Sequence, residues 1–209
     1  MLTRDFYQRG AAETAPLLLG KLLCRETEEG LTAGLIVETE AYAGPEDDGA
    51  HSFGGRRTAR TEIQYGPGGY AYVFGIYGMH WCFNAVTAPE GRPEVVLIRA
   101  LEPVEGIGLM ARRRGTEDRL RLCSGPGKLC AALGITGAQY GLDLCAGPLW
   151  IEDRPDLPAE RIALSPRVNI DYAVNCRDRL WRFFVKDSPF VSRVPARYAA
   201  RGTLADGLF

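Results

Sequence analysis

The sequence predicts an α+β fold with a mainly antiparallel sheet, formed by a single domain over residues 1–209. With 209 residues, 46% of them hydrophobic, the chain is long enough for one sizeable core and short for two. Strand-like segments follow one another closely and one pair reads as a hairpin. Because strands and helices do not alternate regularly, a doubly wound parallel sheet is not predicted.

The N-terminal third predicts a helix followed by two strands. The segment AAETAPLLLGKLLC is typical of a short helix that stops near Gly20, after which a strand runs into the turn TEEGLT. LTAGLIVETEAYAG then alternates as a strand, which places Glu38, Glu40 and Tyr42 on one face. Residues 43–69 form a loop rich in glycine and charge, and its length suggests a functional role.

The rest of the chain predicts a hairpin, a central strand and two helices. GYAYVFGIYGMHWCFNAV is typical of a hairpin with Gly78 near its tip, and PEVVLIRALEP of a central strand. VEGIGLMARRR and SGPGKLCAALGI predict helices, and LWIED and RLWRFFV predict short strands.

Composition narrows the class of protein. The start MLTRDFYQRG lacks the features of a signal peptide, and no apolar run reaches the roughly 18 residues of a membrane helix, so we expect a cytoplasmic protein without membrane contact. Six cysteines lack CxxC spacing, and His51 and His80 are the only histidines. We therefore expect reduced, mostly buried thiols, no metal and no cofactor.

Charge is distributed unevenly. The formal net charge of −1 gives no global sign of a nucleic-acid partner. Arginines nevertheless gather in GGRRTARTE, ARRRG and DRLRL. Since guanidinium groups bind phosphate oxygens bidentately, a few converging arginines would make a basic face on a neutral protein, while solvated surface positions explain them equally well.

Polar residues interrupt three apolar runs. Glu38 and Glu40 do so in IVETEAY, Asn84 in WCFNAV and Arg99 in VVLIRAL. A buried arginine is tolerated only when it is paired, and either glutamate is a natural partner. A solvated strand face or a structural ion pair would explain the charges alone, but neither explains the aromatic and polar residues that accompany them.

Two further segments fit contacts with DNA. Tyr77 and Met79 flank Gly78 at the expected hairpin tip, where an apolar wedge on a stiff ribbon is suited to push between stacked bases; a contact between protein molecules is the alternative. SGPGKL lacks the first glycine and the Ser or Thr of a nucleotide-binding loop. A helix start with Ser124 and Lys128 would still suit one DNA phosphate, and a plain helix cap explains it equally.

The inventory for catalysis is small. No GxSxG is present, and none of the three lysines lies in an apolar segment that would suit Schiff-base chemistry. An ionised glutamate able to deprotonate water is the best available base.

Several motifs together resemble the alkyladenine (3-methyladenine) DNA glycosylase family, the type shared by mammals and many bacteria. They are VETEAY, GPED and AHS, the hairpin YVFGIYGMHWCFN, and then VLIRALEP and CSGPGKLC, and the resemblance runs from about Thr3 to Ser192. It implies a curved antiparallel sheet with a protruding hairpin, duplex DNA with damaged purines as partner, monomeric action and a place at the nucleoid.

The resemblance also implies a role for each matching residue. Glu40 would activate water for attack at C1′ of a flipped nucleotide, with Arg99 and the Val168 carbonyl holding that water. Tyr42 and His51 would stack on one face of the base and Phe74 on the other. Asn84 would crowd the 2-amino group of guanine. Tyr77, with Met79, would fill the gap left in the duplex.

Two positions depart from the family pattern. Phe74 stands where mammalian members carry tyrosine, and Asn169 stands where many members carry glycine. Two other functions stay open beside a monofunctional glycosylase. One is a sugar hydrolase with Glu38 and Glu40 as a carboxylate pair, and the other is a non-catalytic minor-groove module that needs Tyr77 but not Glu40.

Overall fold

The structure of the protein, a computed structural model, describes residues 1–207. Leu208 and Phe209, the last two residues of the predicted domain, lie outside the described residues. Within the described residues, eight strands form one sheet in which each of the paired strands runs antiparallel to its neighbour. They are β1 Leu22–Thr27, β2 Gly30–Tyr42, β3 Ala71–Ile76, β4 His80–Thr87, β5 Glu94–Glu105, β6 Leu149–Glu152, β7 Ile162–Ser165 and β8 Arg182–Val185. The α+β prediction is confirmed.

Strand β2 organises the sheet. The main order is β3-β4-β5-β2-β1-β6, and β8, which also pairs with β7, joins β2 beyond β1. The long β2 therefore shares its N-terminal half with β1 and its C-terminal half, around Glu38 to Glu40, with β8. This branching brings residues from late in the chain next to the two glutamates.

The part of the chain that the structure describes also forms four α-helices, α1 Ala11–Leu17, α2 Ile107–Arg114, α3 Arg119–Leu122 and α4 Pro126–Leu133. Helices α1, α2 and α4 contribute Ala15, Met110 and Leu129 to the main hydrophobic core, which they share with buried strand residues such as Ile36 and Phe83. Proline is the first residue of α4, and it suits a helix start. The backbone nitrogen at this position has no hydrogen-bond partner within the helix, so the N–H that proline lacks is not needed there. The predicted first helix is confirmed and ends before Gly20, whose φ is 80°.

The predicted long loop and hairpin are also confirmed. Between β2 and β3 the chain makes only short 3₁₀ turns, and β3 pairs with β4 from Ala71↔Ala85 to Ile76↔His80. Strand β7 was not predicted from the sequence, because its four residues are too few to show a clear alternation. Within residues 1–207 no helix is both long and apolar enough to cross a membrane.

Candidate active site

A row of paired residues crosses the sheet and carries most of the site. Tyr72 on β3 pairs with Asn84 on β4, Asn84 with Leu97 on β5, and Leu97 with Glu40 on β2. Directly opposed residues of antiparallel strands project to the same face. Glu40 and Asn84, which the sequence separates by more than forty positions, are thus brought onto one surface.

Register shifts direct Arg99 toward the glutamates. The pairing of β2 with β5 slips between Ile36 and Glu38 and again between Glu38 and Thr39, so Arg99 has no register partner of its own. Such bulges bend a strand and redirect side chains, and they occur often beside active sites. Here the Arg99 guanidinium reaches both glutamates, with Nε 3.1 Å from Glu38 Oε1 and Nη1 3.2 Å from Glu40 Oε2. The predicted pairing of the buried arginine is confirmed.

Glu40 is fully buried and accepts hydrogen bonds from three groups. The Val168 amide donates to Oε1 at 2.7 Å, and the Tyr42 hydroxyl donates to Oε2 at 2.9 Å beside Arg99. An ionised carboxylate offers about four lone-pair positions, so one remains, on Oε1. Val168 therefore contacts Glu40 through its amide, a contact that the sequence did not predict, while the role expected for its carbonyl stays a prediction.

Glu38 is also fully buried, so the alternative of a solvated carboxylate is wrong. Its oxygens accept from Arg182 Nε at 2.6 Å, from the Ser192 hydroxyl and amide at 2.8 Å each, and from Arg99. Burial raises the pKa of Glu38, but the positive charges of Arg99 and Arg182 outweigh that effect and hold its pKa below the usual value. Glu38 stays ionised and supports Arg99.

Sequence reasoning missed two buried arginines. Arg182 could have been predicted as a buried, paired arginine, because it interrupts the apolar run RLWRFF as Arg99 interrupts VVLIRAL. Arg167 donates to both oxygens of Asp47 at 2.5 and 2.7 Å, and its guanidinium carbon lies 4.6 Å from the centre of the Tyr42 ring. Arg167 thus fixes Tyr42 from behind.

A cavity of about 310 Å³ opens beside Glu40, within the size range of sites for small ligands. It brings together seven of the predicted residues, namely Tyr42, His51, Phe74, Tyr77, Asn84, Arg99 and Val168. Glu40 itself does not line the cavity. It lies directly behind Tyr42, Arg99 and Val168, which line the cavity and each donate a hydrogen bond to Glu40. Tyr72 and Tyr172 line it as well and were not predicted.

The aromatic walls differ from the expectation. The rings of His51 and Phe74 lie 4.7 Å apart at 79°, in edge contact. A base between two rings needs about 7 Å, two stacking distances of about 3.5 Å. The assignment of His51 and Phe74 to opposite faces of a base is therefore wrong for this conformation, in which they form one wall.

His51 is held as a neutral ring. Its Nδ1 lies 2.8 Å from the Tyr72 hydroxyl, and its Nε2 lies 3.4 Å from Arg60 Nη2. Because guanidinium only donates, Nε2 is the acceptor and Nδ1 carries the proton. Burial, and after it the charges of Arg60 and Arg56, lowers the pKa of His51 to about 4.

The hairpin tip is exposed and strained. Tyr77 and Gly78 have φ of 52° and 71°, and the Met79 amide donates to the Ile76 carbonyl at 3.3 Å, as in a tight two-residue turn. Left-handed backbone is rare for a bulky residue and often marks a functional position. Tyr77 and Met79 are 86% and 75% exposed.

Ser124 and Lys128 meet at the start of α4, where Lys128 Nζ lies 3.4 Å from Ser124 Oγ. The same helix start approaches the hairpin so closely that a Cβ at Gly127 would lie 3.2 Å from that of His80. Pro126 lines the cavity. The proposed phosphate contact therefore lies beside both the hairpin and the cavity.

The backbone conformation of Asn169 explains how asparagine can replace the glycine of the family pattern. Its φ is 61°, in the left-handed region that glycine adopts freely and that asparagine tolerates better than most residues. The backbone beside Val168 thus keeps the shape that a glycine would favour.

The six cysteines are free thiols, and five of them are buried, as predicted. Among residues 1–207 one group, Asp47, Asp48 and Cys176, has possible metal-ligand atoms within 4.8 Å of one another. Both carboxylates there are already engaged, Asp47 with Arg167 and Asp48 with the amides of residues 174–176. These contacts hold the loop segments together, and they leave the two carboxylates with few free positions to bind a metal ion.

Comparison with known proteins identifies the relatives of the chain. A family model described as methylpurine-DNA glycosylase matches residues 5–189. A protein of Desulfitobacterium hafniense strain Y51 is 47% identical over 199 residues, which covers 91% of this chain and 98% of the relative. One of Bacillus cereus strain G9842 is 49% identical over 199 residues, with 90% and 97% covered. Both carry the provisional name 3-methyladenine DNA glycosylase.

Proposed function

Because the chain belongs to the methylpurine-DNA glycosylase family and is thereby a hydrolase of N-glycosyl bonds, we propose that it removes alkylated or deaminated purines from duplex DNA, with Glu40 as the base that activates water. Lesions of the 3-methyladenine, hypoxanthine and ethenoadenine class are the expected substrates. The hydrogen bonding of Glu40, with one acceptor position left on Oε1, is the observation that carries the proposal.

Glu40 is suited to this role by what surrounds it. Arg99, Tyr42 and the Val168 amide stabilise its charge and fix its orientation, while the remaining lone pair of Oε1 can accept a proton from water. The water oxygen would attack C1′ of the flipped nucleotide and pass its proton to Glu40. The C1′–N bond would break with its electron pair on the departing purine, leaving an abasic site.

The cavity supports the binding of an extruded base. Phe74 would stack on one face of the purine, with the His51 ring in edge contact beside it, and Tyr42 would stack on the other face; stacking on aromatic side chains returns about 1–3 kcal/mol per base. Asn84 donates to the Tyr72 carbonyl at 3.0 Å, which fixes its amide where it would crowd a 2-amino group. A damaged base is flipped more easily than an intact pair, which favours lesions before any contact reads them.

Contacts with the duplex would come from the neighbouring segments. Tyr77, with Met79, would enter the minor groove and fill the space of the flipped nucleotide, and Ser124 with Lys128 would hold a phosphate at the start of α4. These features are compatible with a monomer bound to one lesion.

The carboxylate-pair hydrolase is disfavoured by the contacts of Glu38. Both glutamates bind the same arginine, but Glu38 also accepts from Arg182 and twice from Ser192, so its acceptor positions are filled, whereas Glu40 keeps one. Flanking a sugar bond from opposite sides requires two carboxylates that face a common space.

Release of free base from duplexes that contain one defined lesion tests the proposal. We expect Glu40→Gln to bind such a duplex as the parent protein does and to lose about 10²–10⁴-fold in single-turnover rate, the usual contribution of a general base. The exposed Glu90 offers a matched control, and Glu90→Gln should retain the parent rate. Parent-like excision by Glu40→Gln would remove Glu40 as the base, and tight binding without excision by the parent protein would favour the non-catalytic module.

A further inference from the structure

We infer that Arg60 is a specificity-determining residue that biases the site toward neutral purine lesions and against cationic ones. The inference rests on the proposed function and concerns the charge behind one wall of the base pocket. Its starting point is the position of the Arg60 guanidinium, whose carbon lies 4.8 Å from the centre of the Phe74 ring.

Arg60 lies behind the wall that His51 and Phe74 form. Phe74 lines both the base cavity and the adjoining groove, whereas Arg60 lines that groove and not the base cavity. Its Nη2 is also 3.4 Å from His51 Nε2, on the side of the imidazole that the Tyr72 hydroxyl does not occupy. A base stacked on the inner face of Phe74 would therefore have a guanidinium across the ring.

The other charges at the cavity are balanced by ion pairs. Arg99 and Arg182 face Glu38 and Glu40, and Arg167 faces Asp47. His51 is neutral near pH 7, because its pKa is lowered to about 4 by burial and by Arg60 and Arg56. Among residues 1–207, Arg60 has no carboxylate within 4.0 Å, whereas its neighbour Arg57 is paired with Glu62. Arg60, which contacts both Phe74 and His51, thus supplies an uncompensated positive charge at the wall.

That charge acts differently on the two chemical classes of lesion. A purine nucleotide methylated at N3 or N7 is a cation, which Arg60 repels when the base enters the pocket. A neutral purine departs with the electron pair of the C1′–N bond and develops negative charge, which Arg60 stabilises before a proton is taken up from solvent. Both effects change the ratio of the two rates in the same direction.

The size of the effect follows from distance. The 4.8 Å from Arg60 to Phe74 plus a stacking distance of about 3.5 Å places the charge about 8 Å from the base. Arg60 is exposed, so an effective dielectric constant of about 30–60 applies, and Coulomb's law then gives about a 3- to 10-fold change in the rate ratio.

Two duplexes of one sequence test the inference, one with hypoxanthine, which is neutral, and one with 7-methylguanine, which is cationic. Single-turnover rates are measured for the parent protein and for Arg60→Gln, Arg60→Lys and Arg57→Gln. We expect Arg60→Gln to lower the ratio of hypoxanthine to 7-methylguanine excision about 3- to 10-fold. Arg60→Lys, which keeps the charge, and Arg57→Gln, which removes a paired charge over the Tyr65 ring, should retain the parent ratio.

The outcomes separate this inference from the proposed function. If both rates fall equally in Arg60→Gln, Arg60 only supports DNA binding or the fold and the inference is overturned. A parent protein that excises 7-methylguanine but not hypoxanthine also overturns it. Excision of neither lesion, nor of any other damaged purine, by the parent protein refutes the proposed function instead. Added salt gives a second measurement, since screening should lower the ratio in the parent protein and leave it unchanged in Arg60→Gln.

Discussion

Replacing Arg182 with methionine tests whether the buried charges beneath the site are matched as the structure indicates. Arg182 and Glu38 are 1% and 0% exposed at their side chains, and Nε lies 2.6 Å from Oε1. Removing one partner of a buried ion pair lowers the free energy of unfolding by about 3–5 kcal/mol, because the other charge stays buried without compensation. Arg182 Nη1 also donates to the Ser165 hydroxyl and the Tyr198 carbonyl, so those acceptors lose a donor as well.

An exposed pair provides the control for this change. Arg57 and Glu62 are 58% and 56% exposed at their side chains, and exposed ion pairs contribute about 0–1 kcal/mol. We expect Arg182→Met to lower the free energy of unfolding by about 3–5 kcal/mol and Arg57→Met by less than about 1 kcal/mol. Urea denaturation followed by tryptophan fluorescence measures both, with the slope of the transition checked for two-state behaviour.

A loss of under about 1 kcal/mol for Arg182→Met would refute the reasoning, since it would mean that Glu38 carries no uncompensated charge without its partner. Total stabilities are about 5–15 kcal/mol, so a loss of this size leaves some proteins too unstable to purify. Ser192→Ala then serves as the milder change. It removes one hydrogen bond of 2.8 Å to Glu38, and bonds to charged groups contribute about 1.5–3 kcal/mol.

Three further predictions concern single positions. The folded-state pKa of His51, about 4, lies below its ordinary value, so stability should fall as the pH decreases from about 6.5 toward 4, and His51→Gln should reduce that slope in urea titrations. Asn169→Gly should keep the parent stability and excision rate, whereas Asn169→Val should lose about 1–3 kcal/mol in denaturation, because a β-branched residue tolerates a φ of 61° poorly. Tyr77→Ala should leave the thermal midpoint unchanged, since the side chain is 86% exposed, and should weaken binding to lesion duplexes in titrations.

Much of the site was predictable because polar residues in apolar runs are rare and must be paired. Glu38, Glu40 and Arg99 interrupt such runs, and the pairing of buried charges predicts that Arg99 contacts one of the two glutamates without knowledge of the fold. The family resemblance assigned the cavity residues, which come from four strands, the loop 43–69, the hairpin turn and the turn after β7. The hairpin and the long loop followed from alternation and from glycine content.

The features of the site that the sequence did not predict depend on strand register and on the orientation of aromatic side chains. The bulges between β2 and β5, which direct Arg99 to both glutamates, arise from pairing across strands and leave no local signal. The edge contact of His51 with Phe74 depends on side-chain orientation, so their shared wall could not be read from position alone. The strand β7, four residues long, has too few residues for periodicity to register.

The charged network ties the site to the completion of folding. Glu40 is bound by the Val168 amide and Glu38 by Ser192, contacts that span 128 and 154 residues of the chain. Closing loops of that length costs conformational entropy, which the packing of the folded sheet must offset. Without β8 and the segment around Ser192 in place, Glu38 would lose two of its partners and would keep Arg99, which it shares with Glu40. The base at position 40 therefore acquires its full set of donors only when the C-terminal part of the sheet is in place, so stability and activity should be lost together when that part is loosened.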